Sequence, residues 1–302
     1  MSVLLDAATL DRTEWTALAD QHAARADALT ADHRERARRA EKHPVEDFLF
    51  SYYSYKPAVL RRWHPGTGVA LADADERAGW RWYRHAGNGI IVDADAFRAE
   101  RGSLYRGIVN LLRATQDRPA QFGCFGLHEW AMVYRADEVR HAVPLRLGRA
   151  GTDAVVDAHD LKCTHFDAFR FFTPDAVPRN RESLSRDAQV DHEQPGCLHA
   201  GMDVYKWAVK LGPLVPGPLL LDAFVLARDI RTLDMEASPY DLSAWGYRPV
   251  AVETPAGKAE YVSRQRALSE RGQALRRAVL AAVTPSDDTP GGADFLRPTS
   301  VL

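Results

Sequence analysis

The sequence predicts an α+β protein, mostly helical, forming a single domain with a small antiparallel sheet. Three observations lead there. Apolar residues recur at spacings of three and four over residues 11–42, 103–116, 198–211, 217–236 and 258–283. Short β-branched and aromatic runs bounded by glycine are confined to a few places. No linker-like interior stretch interrupts the 302 residues, 46% of which are hydrophobic, so one sizeable core is expected. The domain is expected to span 1–283, and 284–302, rich in Pro, Asp and Gly, to be a disordered C-terminal tail.

Asp11 followed three residues on by Glu14 is a capping box, and the Ala- and Arg-rich helix it opens is expected to run to about Lys42, where His43-Pro44 interrupts it. A second helix is expected from Pro44 through Phe48-Leu-Phe-Ser-Tyr-Tyr, closing before the Trp63-His64-Pro65-Gly66 turn. Trp80-Arg-Trp-Tyr and Gly89-Ile-Ile-Val read as strands joined by a hairpin at Gly87-Asn88-Gly89. Leu104, Ile108, Leu111 and Leu112 place a helix over 103–116. Residues 143–172 read as further strands with a turn from Gly148 to Asp153, followed by helices over 181–193, 198–211 and 217–236. A strand over 249–253 then leads into the last helix, 258–283.

A net charge of -2 offers no general attraction to nucleic acid or acidic membranes. Three cysteines, Cys124, Cys163 and Cys197, allow at most one internal disulfide and point to a reduced, cytoplasmic protein. The first residues lack a signal-peptide pattern, and no window approaches the roughly 18 apolar residues that span a bilayer.

The most informative segment is Cys197-Leu-His-Ala-Gly-Met-Asp-Val-Tyr-Lys-Trp-Ala-Val-Lys-Leu211. As a helix it sets His199, Asp203, Lys206 and Lys210 on one stripe, with apolar residues elsewhere. A His and an Asp one turn apart can share a proton or hold a water, and Lys206 can tune the carboxylate or bind an anionic substrate. The alternative is an ordinary helical ion pair beside a solvated edge. His128-Glu129, after the glycine-flanked Phe122-Gly-Cys-Phe-Gly, is a second acid/base candidate, and a capping pair is its structural alternative.

Alternation over Leu161-Lys-Cys-Thr-His-Phe-Asp167 would put Cys163, His165 and Asp167 on one strand face, which with His199 supplies metal-ligand chemistry. The cysteine and histidine spacing matches no standard zinc signature, so buried structural roles compete with that reading. Tyr240 and Asp241 in Ala237-Ser-Pro-Tyr-Asp-Leu form either a turn or a loop that presents both side chains to a substrate, and the aromatics around Tyr53 form either core or a stacking surface. A dinucleotide fingerprint, a Walker loop, a serine-hydrolase elbow and a kinase signature are all missing.

Four stretches, His43-Pro-Val-Glu-Asp-Phe-Leu-Phe-Ser-Tyr-Tyr, Arg62-Trp-His-Pro-Gly, Gln194-Pro-Gly-Cys-Leu-His-Ala-Gly-Met-Asp and Ala237-Ser-Pro-Tyr-Asp-Leu, resemble an actinobacterial family with plant relatives commonly labelled 3-methyladenine DNA glycosylase. The resemblance implies a DNA-repair hydrolase that releases alkylated purine bases. Of the helix-hairpin-helix glycosylase motif only Leu214-Val-Pro-Gly-Pro with Asp222 is faintly similar, so no catalytic residue carries over.

The residues and the resemblance together give an N-glycosyl hydrolase of a small-molecule or damaged-base substrate, DNA among the candidates, with His199, Asp203, His128 and Glu129 as catalytic candidates. Lys206, Tyr240, Asp241 and Tyr53 are the substrate-binding candidates, and no cofactor is favoured. Two alternatives stand beside it: an enzyme using a divalent metal on Cys163, His165, Asp167 and His199, and a non-catalytic protein that binds a small ligand.

Overall fold

The computed structural model describes residues 8–136 and 143–285, and the expected tail lies, beyond residue 285, outside the described residues. The architecture is α+β, mostly helical with a small sheet. The described residues form two compact units, one from 8–109, 205–225 and 275–285, the other from 110–136, 143–204 and 226–274. Because their segments alternate, no single cut in the sequence separates them.

The first unit begins with β1 (Ala8–Leu10), α1 (Arg12–Leu29), α2 (Ala31–Arg38), α3 (Phe48–Tyr52) and α4 (Pro57–Arg61), continues through β2 (Val69–Ala72), β3 (Tyr83–Ala86) and β4 (Gly89–Val92), and enters α5 (Ala94–Asp117). The capping box forms as expected: Glu14 N donates to Asp11 Oδ1 and Asp11 N to Glu14 Oε2, both at 2.9 Å. The first helix ends at Leu29 instead of about Lys42, because the Thr30 hydroxyl donates back to Ala26 O (2.9 Å) and the backbone there leaves helical geometry at φ -112°. The second helix starts only at Phe48. Upstream, His43 Nδ1 accepts from Val45 N and Glu46 N while Asp47 Oδ2 accepts from His43 N (2.8 Å), which fixes residues 43–47 as turns.

The sheet runs β1-β2-β4-β3. The β3–β4 hairpin closes on Gly87-Asn88, with Gly87 at φ +60° supplying the left-handed turn position. β2 pairs β4 antiparallel, but β1 pairs β2 parallel, so the sheet is mixed rather than wholly antiparallel. Four helices stand between β1 and β2 and provide the crossover that a parallel pair requires. Trp15 Nε1 donates to Ala72 O (2.9 Å) and ties α1 to β2.

His64 in this unit gives a pH-dependent stability. Burial pushes its pKa down to about 3, with the Arg77 charge adding to the effect, and its Nδ1 lies 2.7 Å from the Tyr83 hydroxyl. The folded-state value lies below the unfolded one, so the neutral-ring contribution is complete above pH about 6.5 and is lost as pH falls toward about 3. Between pH about 6.5 and 4 this amounts to roughly 3 kcal/mol. Denaturant titrations should show that acid dependence reduced in His64→Gln; an unchanged slope would contradict the assignment.

The second unit contains the rest of α5, then α6 (Leu127–Ala131), α7 (Gly148–Asp157), α8 (Phe166–Phe169), α9 (Gln189–His192), the start of α10 (Leu198–Leu211), the end of α11 (Gly217–Glu236) and most of α12 (Pro255–Val283). The helices at 198–211 and 217–236 have the expected bounds, and α12 starts three residues early on a Thr254 cap that accepts from Gly257 N (3.0 Å).

The strands expected over 143–172 do not form. Residues 148–157 are helical, burying Thr152, Val155 and Val156, and only single bridges, Leu145 with Tyr240 and Leu161 with Asn180, resemble sheet. The Asn180 side chain takes the place of a partner strand: Cys163 N donates to its Oδ1 (2.8 Å) and its Nδ2 donates to Cys163 O (3.0 Å). The helix expected over 181–193 shrinks to Gln189–His192. Residues 249–253 form no strand either, since Val250 N donates to Glu236 O (2.8 Å) and Val252 N turns back to Val250 O (2.8 Å). A Cβ on Gly257 would stand 1.9 Å from Ala251 O, so only glycine lets α12 begin against that turn.

Candidate functional site

In the second unit, three helices and two turns converge on a buried set of three histidines and four carboxylates. α6 supplies His128 and Glu129, the residue before α8 supplies His165, and the turn after α9 supplies Glu193. α10 supplies His199 and Asp203, and α11 supplies Arg231 and Asp234. All are at most 9% exposed.

The Gln194-Pro-Gly-Cys turn that launches α10 is held from both sides. Gln194 Oε1 accepts from Gln121 N (2.8 Å) and Gly196 N (2.7 Å), while Gln265 Nε2 and Ser269 Oγ on α12 donate to Gly196 O (2.7 Å) and Pro195 O (2.8 Å). A Cβ on Gly196 would meet Gln121 O at 2.3 Å, so this close crossing requires glycine. The turn thereby sets where His199 begins its helix.

Two ligand-type triads result. One donor atom from each of His128, His199 and Asp234 lies within 4.8 Å of the others, and the same holds for His165, Glu193 and Asp203. His128 Nε2 is 2.7 Å from Asp234 Oδ1. His165 Nε2 is 3.3 Å from Asp203 Oδ2 and 3.2 Å from Glu193 Oε1. His199 joins the triads, its ring edge-on to His128 (centroids 4.4 Å) and stacked on His165 (5.3 Å). Among the described residues, neither ring nitrogen of His199 makes a hydrogen bond, although the ring is only 9% exposed. The ring keeps a little access to solvent, so its nitrogens can take a water or an ion.

Arg231 Nη1 donates to Glu129 Oε1 and to Asp234 Oδ2, both at 2.8 Å. Burial works against the charged His128 ring, but Asp234 beside it outweighs this and holds the pKa well above the ordinary range. Asp234 is likewise disfavoured by burial, and His128 and Arg231 hold it ionised with its pKa well down. His199 takes the opposite course: burial, then the charge on His128, push its pKa well below ordinary and keep it neutral. Without an ion, one buried ring is therefore charged and its neighbour neutral, and only the neutral form can ligate a metal.

Among the sequence candidates, His199, Asp203, His128, Glu129 and His165 are brought together. Cys163 and Asp167 are not part of either triad. The Cys163 thiol faces His165 O at 3.5 Å and burial raises its pKa, so it is a structural thiol. Asp167 pairs with Arg186 (2.6 Å) and Arg170 (3.4 Å). With no strand over 161–167, the alternation that grouped these residues does not operate. Tyr240 and Asp241 lie in a separate crevice with Arg146 and Arg248, where Asp241 Oδ1 accepts from Ser243 N (3.0 Å) as in a turn. Tyr53 and Lys206 belong to the first unit. There Tyr53 packs edge-on to Tyr205 (5.8 Å), and Lys206 Nζ lies over Trp207 (4.2 Å).

Three members escaped the sequence reading: Asp234, Arg231 and Glu193. Arg231 and Asp234 stand among Arg228, Asp229, Thr232 and Glu236, so at the polar end of α11 they read as two more charges of a solvated face. Glu193 carries no local signal either. Compared with protein-family models, with curated proteins and with solved structures, the chain matches none.

Proposed function

We propose that the protein is a metal-dependent enzyme acting on a small molecule, with a divalent cation held by His128, His199 and Asp234. The single observation that carries this reading is His199, a neutral, nearly buried imidazole with no hydrogen bond to the described residues, whose donor atom lies within 4.8 Å of those of a second imidazole and an ionised carboxylate. Donors about 2.1 Å from a shared ion and roughly 90–110° apart are themselves about 3.0–3.4 Å apart, which a set of donor atoms lying within 4.8 Å of one another can reach by small side-chain adjustments. Two nitrogens and one carboxylate leave positions open for water and substrate, where the ion supplies Lewis-acid chemistry.

The chain's own groups complete the reading. Arg231 fixes the second oxygen of Asp234, and Glu129 holds Arg231, so the carboxylate is oriented from behind. His165, next to His199 and between Glu193 and Asp203, is placed to accept and return a proton. A metal-free N-glycosidase using Glu129 or Asp203 alone as base fits less well, because Glu129 is committed to Arg231 and Asp203 contacts His165. N-glycosidic bonds remain among the substrates that the metal-loaded site could hydrolyse.

The test is to strip the full chain with a chelator, reload it separately with Zn²⁺, Mn²⁺, Co²⁺ and Fe²⁺, and assay purine nucleosides, alkylated DNA and phosphate esters. Turnover lost on stripping and restored by one ion is expected. Base release that persists in the stripped protein would return the assignment to a metal-free glycosidase.

A further inference from the structure

A second feature of the same unit lies outside the triads. Phe122-Gly-Cys-Phe-Gly126 leads directly into α6 and touches the site through Cys124, whose Sγ is 3.7 Å from His128 Nδ1. Phe125 takes a left-handed backbone (φ +50°) that an L residue enters only at a cost of roughly 1–2 kcal/mol. That conformation puts its ring on the wall of a groove whose other wall is the outer face of α12, Lys258, Ala259, Val262, Ser263 and Arg266. Strain of this kind persists where the surroundings hold it in place, and it is concentrated at ligand-binding loops.

The charges around this loop differ from those elsewhere on α12. Arg264 reaches Glu236 (2.5 Å) and Arg271 reaches Asp229 (2.8 Å). By contrast, Arg266 lies on the Phe122 ring (4.3 Å) and Lys258 on the Phe125 ring (5.6 Å), while Lys162 passes within 3.5 Å of the Cβ position of Gly123. Among the described residues none of these three cations has a carboxylate partner. Two are held over aromatic faces, which restricts their motion and leaves their N–H groups available. Two such cations in the wall of one groove, Lys258 and Arg266, exceed what a single carboxylate needs and match the charge of a phosphate dianion.

We propose that this groove binds the phosphate group of a small phosphorylated substrate and so presents it to the metal centre through the 122–128 segment. The catalytic part of the proposal rests on the metal reading; the anion binding does not. It is measured by calorimetric titration of the metal-stripped full chain with inorganic pyrophosphate at low salt, beside the Lys258→Gln/Arg266→Gln double variant, His199→Ala, and Arg228→Gln as a control that removes one charge from exposed α11 surface. Saturable binding is expected, weakened about tenfold or more in the double variant and unchanged in His199→Ala and Arg228→Gln. Citrate in place of pyrophosphate should bind at least about tenfold more weakly.

The proposal is overturned by absence of saturable pyrophosphate binding, by equal weakening in Arg228→Gln, by loss in His199→Ala alone, or by citrate binding as tightly. Metal content of the unstripped proteins is read separately, so failure of the metal reading would leave the anion result intact.

Discussion

Asp234→Asn is expected to abolish metal binding and to destabilise the protein by about 3–5 kcal/mol, the cost of breaking a buried charge network by removing one partner. Asp234 is fully buried and bonded at once to His128 and Arg231. The amide preserves its shape but removes the charge that keeps His128 protonated and Arg231 satisfied, and it turns one acceptor oxygen into a donor facing donors. Chemical denaturation and elemental analysis of the purified variant check both parts. Normal stability would show that Arg231 and His128 are satisfied without Asp234. Normal metal content would remove Asp234 from the ligand set.

His199→Ala is expected to behave differently. The ring makes no hydrogen bond among the described residues and is held neutral, so its loss removes packing against His128 and His165 but orphans no partner. A stability loss of about 1–2 kcal/mol is expected from truncating the buried ring, with metal affinity falling about 100-fold or more. The contrast with Asp234→Asn distinguishes a ligand from a structural group. If His199→Ala costs as much stability as Asp234→Asn while leaving metal binding intact, His199 is a core residue and the metal reading fails.

How far the site was legible in the sequence depends on the range of the interactions that build it. α10 and α11 could be bounded to the residue because apolar periodicity and the flanking glycine and proline turns act within the segment itself. The hairpin at Gly87-Asn88 was legible for the same reason. Residues 161–167 alternate like a strand, yet Asn180, seventeen positions away in sequence, takes the Cys163 backbone bonds, and no local pattern announces that. The break at Thr30 depends on a hydroxyl choosing its own helix's carbonyl, which a periodicity argument does not weigh.

The same distinction applies within the site. His199 and Asp203 were visible as a polar pair on an apolar helix, but each pairs most closely with a group on another segment. Asp203 meets His165, and His199 completes a set with His128 and Asp234. Sequence alone therefore points to the right helix but couples its two residues to each other, whereas the fold assigns them to adjacent triads. Asp234 and Arg231 acquire their role only when α11 and α6 meet, a contact made between residues about a hundred positions apart.

The most direct test of the proposed metal centre is the metal content of the 302-residue chain, purified without chelator and dialysed separately against Zn²⁺, Mn²⁺, Co²⁺ and Fe²⁺, measured for wild type and His199→Ala. About one tightly held ion per chain in the wild type, and a near-complete loss in the variant with its fold intact by circular dichroism, is the predicted result. No bound ion in the wild type under any of the four metals, or equal content in both proteins, would contradict it.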